Sequence, residues 1–198
     1  MPLKIGITGG IGSGKTTVAK IFEVLGIPIF YADDAAKKVM NTDKGLKEKI
    51  IFHFGEESYN SVGLNRSHLS EIVFNDPEKL ALLNSIVHPV TIADADKWMQ
   101  QQTTPYIIKE AALMFESDAY KHVDYIIGVS APEALRMQRS MERDNITAEA
   151  VKARMSKQMD EAEKMSRCDF IIHNDEEQLL IPQVLKLHEQ FLAISKNK

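Results

Sequence analysis

Residues Gly9-Gly10-Ile11-Gly12-Ser13-Gly14-Lys15-Thr16 satisfy every fixed position of the phosphate-loop pattern G-x-x-x-x-G-K-[ST], and they directly follow the apolar run Leu3-Lys4-Ile5-Gly6-Ile7-Thr8. After the loop, Val18, Ile21, Phe22 and Leu25 recur at spacings of three and four until Gly26 ends the pattern. A strand, a glycine turn and a helix in that order confine the chain to α/β architectures. The same order aims several backbone N–H groups, and about half a positive charge from the helix dipole, at one place. Polyphosphate suits such a place. Glycines at 9, 10, 12 and 14 let the backbone take positive φ and approach the phosphates. Lys15 is the candidate for reaching the β- and γ-phosphates, and the Thr16 hydroxyl is the candidate metal ligand, for Mg²⁺.

Short apolar runs alternate with helical patterns along most of the 198 residues, the signature of a parallel sheet covered on both faces. Strands are expected near 3–8, 27–32, 106–110, 124–129 and 169–173. The expected fold is α/β: a doubly wound, five-stranded parallel sheet of the phosphate-loop NTPase type in a single domain, its core built from 1–33, 105–138 and 166–198. Residues 34–104 carry helical periodicity with no convincing central strand and read as a helical insertion; Asp76-Pro77 supplies a capped start within it. The polar stretch from Arg139 to Ala150 breaks the next helix, with Thr147 as N-cap of a new one, and 139–165 reads as a short mobile lid. A final helix is expected over about 176–194, with 195–198 frayed.

A net charge of −4 argues against a general nucleic-acid binder. No apolar stretch approaches a membrane span and no leader is visible; Cys168 is the only cysteine, so no intrachain disulfide forms. The expectation is a cytoplasmic protein, monomeric or a small homo-oligomer, without nucleic-acid or membrane partners. Arg136, Arg139, Arg143, Lys152, Arg154, Lys157, Lys164 and Arg167 gather in one region, as phosphate-facing residues would. Glu142, Asp144, Glu149, Asp160, Glu161 and Glu163 interleave with them, as on a solvated helix face. The histidines show no metal-ligand spacing.

A phosphate loop alone does not separate a GTPase, a motor and a small-molecule kinase. The N-K-x-D segment that reads guanine is absent, and the strand Tyr106-Ile107-Ile108-Lys109-Glu110 ends differently from the four apolar residues followed by Asp, often Asp-Glu, that are usual in a motor. A small kinase needs a carboxylate near the end of the second strand, an acceptor pocket and lid arginines. Asp33 follows Ile29-Phe30-Tyr31-Ala32 and is the candidate base; it equally suits a helix N-cap. A nucleotide-sensing regulatory module is the alternative from another class, disfavoured by Asp33 and the arginine set.

Thr8 through Thr17, then Tyr31-Ala32-Asp33, His88-Pro89 after a helix, Leu113-Met114-Phe115-Glu116, Arg139, Arg143-Asp144, Arg154 and Gln158, Glu163-Lys164, and Asp169 on to Asn174 occur in an order that resembles the dephospho-CoA kinase family. The resemblance covers roughly residues 3–175. It implies MgATP-dependent phosphorylation of the ribose 3′-hydroxyl of dephospho-CoA, giving CoA and ADP as the last step of CoA synthesis. By position it implies that Gly12, Ser13, Gly14, Lys15, Thr16 and Thr17 bind ATP, that Asp33 is the base, and that the insertion binds the CoA moiety. It places Thr8, Asp33, His88, Pro89, Leu113, Glu116, Arg139 and Arg154 at the substrate, and Lys15, Asp33 and Arg143 in catalysis, with Arg139 or Arg154 as alternates for the lid arginine. His88 also suits a purely turn-orienting role. Where the family usually has Pro before this L-x-F-E segment, the chain has Ala112.

Overall fold

The computed structural model describes residues 2–74 and 76–197. In chain order its elements are β1 (Leu3–Thr8), α1 (Lys15–Val24), β2 (Ile29–Tyr31), α2 (Ala32–Thr42), α3 (Lys44–Phe54), β3 (Tyr59–Asn60), β4 (Gly63–Leu64), α4 (Arg66–Phe74) and α5 (Pro77–Gln100). They continue with β5 (Tyr106–Glu110), β6 (Tyr125–Ser130), α6 (Glu133–Asp144), α7 (Ala148–Met155), α8 (Glu161–Ser166), β7 (Phe170–His173) and α9 (Leu180–Lys196). The chain divides into two compact units, one made of the segments up to Tyr31 and from Gln102 onward, the other Ala32–Gln101.

The first unit is built on a five-stranded parallel sheet in the order β2-β5-β1-β6-β7. Strand β1 lies at its centre, with Leu3, Ile5 and Ile7 buried and only Lys4, near the strand's start, partly exposed. Alternation decides what each face meets. Ile5, Ile7, Ile108, Ile127 and Ile172 pack against Val18, Ala19 and Phe22 of α1 and Val184, Leu187 and Phe191 of α9. Gly6 and Gly128 face Met114 and Met165 instead. Aromatic edges close the first layer: Tyr106 meets Phe22 at 6.4 Å between ring centroids and Phe191 at 5.5 Å, while its hydroxyl is satisfied by His188 Nδ1 at 2.6 Å. The strand-to-helix alternation read from the sequence is thus the observed one.

The second unit packs α2 to α5 around Val39, Leu46, Ile50, Phe54, Leu69 and Val87. A short hairpin, β3 with β4, lies among these helices where helical periodicity alone was expected. It is too short to carry a strand signal of its own, and its outer position is fixed by Tyr59 Oη donating to the Met40 carbonyl at 2.6 Å and Leu64 N–H to Asn41 Oδ1 at 2.9 Å.

Three boundaries differ from expectation. His88-Pro89 does not follow a helix; both residues lie inside α5, which runs through Pro89. Proline removes one donor, but apolar residues on either side keep one buried stripe, with Leu83, Ile86, Val87 and Val90 all against the unit's core, and this outweighs the lost bond. The break expected from Arg139 to Ala150 is confined to 145–147: α6 continues through Arg139 and Arg143 and ends where Asn145 takes a left-handed conformation at φ 50°. Polar composition misled there, since Arg, Gln, Met and Glu are good helix formers. The last helix begins at Leu180 rather than near 176 and continues to Lys196, so 195 and 196 are helical; Lys198 lies outside the described residues. Thr147 does cap α7, its hydroxyl accepting Ala150 N–H, and Asp76 caps α5 by accepting from Glu78 and Lys79.

Candidate active site

Residues 9–14 leave the carboxyl end of β1 and wrap to the start of α1, so the loop sits where open parallel sheets bind ligands. Gly14 is the N-cap in a left-handed conformation, and Val18 N–H donates to its carbonyl at 3.1 Å. The N–H groups of the first turn that follow it have no partner within the helix by geometry and form the anion-facing surface. Thr16 and Thr17 are exposed in that turn and Lys15 is half-buried. Lys15 Nζ donates to the Gly10 carbonyl at 3.3 Å, across its own loop. Ser13 is buried, its N–H closing a turn on the Gly10 carbonyl at 3.1 Å.

Two glycines are held by different constraints. Gly12 has φ 77°, and a Cβ there would lie 2.1 Å from the Arg136 carbonyl oxygen, so α6 and the loop touch backbone to backbone. Gly10 keeps an ordinary φ; what excludes a side chain is Arg136 Nη1, 2.2 Å from where a Cβ would stand. The positive φ expected at Gly10 is therefore not observed. Space, not conformation, is what it supplies.

The arginines expected to face phosphate are committed to carboxylates. Arg136 meets Glu161 at 3.4 Å, Arg139 meets Glu176 at 3.1 Å, and Arg167 meets Glu163. Arg143 holds Asp144 through two bonds of 2.8 and 3.0 Å, and Arg154 reaches the same carboxylate at 2.7 Å. The Arg143 bond, followed by the two neighbouring positive charges, holds the Asp144 carboxyl below the usual range despite partial desolvation. Arg139 Nη1 also donates to the Asn174 carbonyl at 3.1 Å, and Asn174 Nδ2 donates to the Ser13 carbonyl at 2.8 Å. Position 139 is thereby joined to the phosphate loop through the end of β7.

Thr8 is fully buried, and its hydroxyl donates to the Ala112 carbonyl at 3.4 Å. Leu113 is exposed. Glu116 Oε1 accepts from Lys164 Nζ at 3.0 Å and from Met159 N–H at 2.9 Å. Burial works to raise its pKa, but the Met159 N–H, its own backbone N–H and Lys164 together bring it below the usual carboxylate value. Gln158 Oε1 accepts from Ile11 N–H of the phosphate loop at 2.9 Å. The sequence placed Lys164 among cations suited to phosphate and quoted Gln158 and Asn174 only within the family resemblance; the contacts these three make could not be read from a local pattern, since Gln158 and Ile11 are 147 positions apart.

In the second unit, Asp33 is the second residue of α2 and is exposed. It is not the N-cap, because the helix already includes Ala32; Asp34, one residue on, pairs with Lys37 at 2.7 Å. His88 is half-buried and Pro89 exposed on α5. Among the described residues no helix is long and apolar enough to cross a membrane.

The family model described as dephospho-CoA kinase matches residues 3–179. A dephospho-CoA kinase of Bacteroides fragilis is 38% identical over 188 residues, covering 94% of this chain and 92% of that protein. One from Mannheimia succiniciproducens is 32% identical, covering 98% and 94%. Among solved structures, a Thermus thermophilus protein superposes with a TM-score of 0.86 at 31% identity, covering 96% of this chain and 97% of its own, and the dephospho-CoA kinase from Campylobacter jejuni with 0.71 at 30% identity, covering 100% and 99%.

Proposed function

The chain belongs to the dephospho-CoA kinase family, and we infer that it transfers the γ-phosphoryl group of ATP to the ribose 3′-hydroxyl of dephospho-CoA, giving CoA and ADP in the last step of CoA synthesis. The observation that carries this is the coincidence of a family match from residue 3 to 179 with a phosphate loop at the carboxyl end of the central strand.

The loop residues Gly12, Ser13, Gly14, Lys15, Thr16 and Thr17 take the ATP phosphates. The left-handed backbone at Gly12 and Gly14 and the open first turn of α1 favour that role. Lys15 exchanges its Gly10 carbonyl for phosphate oxygens. The donor chemistry fits Mg²⁺, a hard cation that takes oxygen ligands and shares them with substrate phosphates. Thr16, with an exposed hydroxyl in that turn, is the residue that would hold it. Held there, the ion would supply positive charge against the negative charge that develops on the phosphoryl oxygens during transfer.

Asp33 accepts the proton of the 3′-hydroxyl. Its support is its place just beyond β2, its exposure and the loss of the capping alternative. Arg143 is the lid arginine of choice. It is the most exposed of the three candidates, at 62%, and an exposed pair such as its contact with Asp144 is worth little in water, so a phosphate can displace the carboxylate. Arg154 shares that carboxylate and follows it, whereas Arg139 is held at the β7 end. His88, Pro89 and Leu113 serve acceptor binding. Thr8 and Glu116 are already engaged by protein atoms and serve the site through them. ATP and a CoA precursor are cytoplasmic metabolites, and we place the enzyme there, as a monomer or small homo-oligomer.

A coupled assay of ADP release tests the assignment, with dephospho-CoA, adenosine, AMP or no acceptor offered. Turnover with dephospho-CoA well above the others is expected. Turnover with AMP and none with dephospho-CoA would overturn it, and no turnover with any acceptor would favour a nucleotide sensor.

A further inference from the structure

The residues on either side of Gly9-Gly10 are tied to opposite ends of one chain of contacts, all of it within the unit that holds the phosphate loop. Thr8 Oγ1 donates to the Ala112 carbonyl at 3.4 Å, and Lys164 Nζ donates to the same oxygen at 3.1 Å. Lys164 Nζ also donates to Glu116 Oε1 at 3.0 Å, and that oxygen accepts Met159 N–H at 2.9 Å. The preceding residue, Gln158, accepts Ile11 N–H at 2.9 Å and returns the chain to the loop. Four remote segments meet in it: β1 and its loop, the connection after β5, residues 156–160 between α7 and α8, and α8 itself.

Lys164 is 0% exposed, and an ammonium in the interior is tolerated only with good partners. Such a pair is weak evidence for stability, because desolvation offsets much of its attraction. What it supplies is geometry: charge-assisted bonds are short and directional, and here they fix a carboxylate whose second task is to hold a backbone N–H. Phosphoryl transfer depends on donors held to fractions of an ångström, and a displaced loop crest would misdirect the N–H groups beside it.

We propose that Glu116 is a positioning residue for phosphoryl transfer: paired with buried Lys164, it anchors residues 158–159 so that Gln158 holds the crest of the phosphate loop in its nucleotide-binding shape. The inference rests on the assignment of that loop to ATP and gives Glu116 no contact with either substrate. Glu116 therefore acts on ATP affinity, through Ile11, although its own place in the chain is after β5.

Glu116→Gln, which keeps an oxygen but removes the charge, Gln158→Leu, which removes the acceptor for Ile11, and the double variant test this. Calorimetry gives the ADP dissociation constant, steady-state kinetics give KM for each substrate and kcat, and thermal unfolding is recorded alongside. Each single change is expected to raise the nucleotide dissociation constant and the ATP KM about fivefold, roughly one hydrogen bond's net contribution, with the dephospho-CoA KM changed by less than about twofold. The double variant should be no worse than the worse single one, since both cut the same chain. A raised dephospho-CoA KM with unchanged nucleotide affinity would overturn the proposal by making Glu116 an acceptor contact. Multiplying effects, or a lower melting temperature with unchanged nucleotide affinity, would also overturn it. Gln158→Leu leaves the buried charges in place and keeps the test open should Glu116→Gln fold poorly. Nucleotide binding needs no acceptor, so a wild-type protein that binds ADP but ignores dephospho-CoA would refute the proposed reaction while leaving the positioning role to be decided by these constants.

Discussion

Lys15 bonds to a carbonyl of its own loop and Asp33 stands exposed in the first turn of a helix, so each can be replaced without opening the interior. Lys15→Ala is expected to weaken nucleotide binding and lower kcat together; wild-type kcat in that variant would refute the loop assignment. Asp33→Asn should lower kcat by about 10² or more while changing the ATP dissociation constant by less than about twofold, checked by single-turnover kinetics and calorimetry. A loss below about threefold would leave Asp33 with only its favourable place near the helix dipole. Glu116 carries a pH signature. Its folded pKa lies below the unfolded value, so its contribution is complete above about pH 5 and is lost as pH falls through the folded value. The melting-temperature gap between wild type and Glu116→Gln should accordingly be constant near neutrality and narrow below about pH 4. Cys168 is a second case: burial, then the Asp169 charge, pushes its thiol up to about 12, so alkylation at neutral pH should be far slower than for a free thiol. At this scale the loop residues were legible because their pattern is local. Gln158 and Lys164 were not, because their partners lie 147 and 48 positions away and no periodicity marks them.

Elements were legible where local and tertiary preferences agree. β1, α1 and the capped start of α5 follow from apolar period, glycine and the Asp76-Pro77 pair. They were misread where packing overrode a local signal, as at Pro89 inside α5, or where charge was mistaken for a break, as in α6. The arginine cluster left two readings open in the sequence, phosphate or a solvated face, and in the folded chain Arg136, Arg139, Arg143 and Arg154 each pair with a carboxylate, Arg139 with the distant Glu176. Thr147→Ala should cost about 1 kcal/mol by loss of the α7 cap, read from chemical denaturation. Phe191→Ala, at the contact of α9 with Tyr106, Tyr125 and Phe170, should cost about 3–5 kcal/mol by the same measurement.

At the scale of the molecule, strand order could not be read from the chain, although the five strands of the parallel sheet could. The order β2-β5-β1-β6-β7 puts the phosphate loop on a central strand, flanked by the ends of β5 and β6. That placement suits a phosphate-loop kinase, because the central strand of a parallel sheet presents the donor loop at its carboxyl end. The central claim is that this loop delivers the γ-phosphoryl group to one hydroxyl of one acceptor. Incubation with ATP labelled in the γ-phosphate, followed by mapping of the label by ³¹P NMR, tests it most directly. The account predicts the label as a monoester on the ribose 3′-oxygen of dephospho-CoA, with no ADP formed when the acceptor is withheld. Label found only as inorganic phosphate, or on AMP in preference to dephospho-CoA, would contradict it.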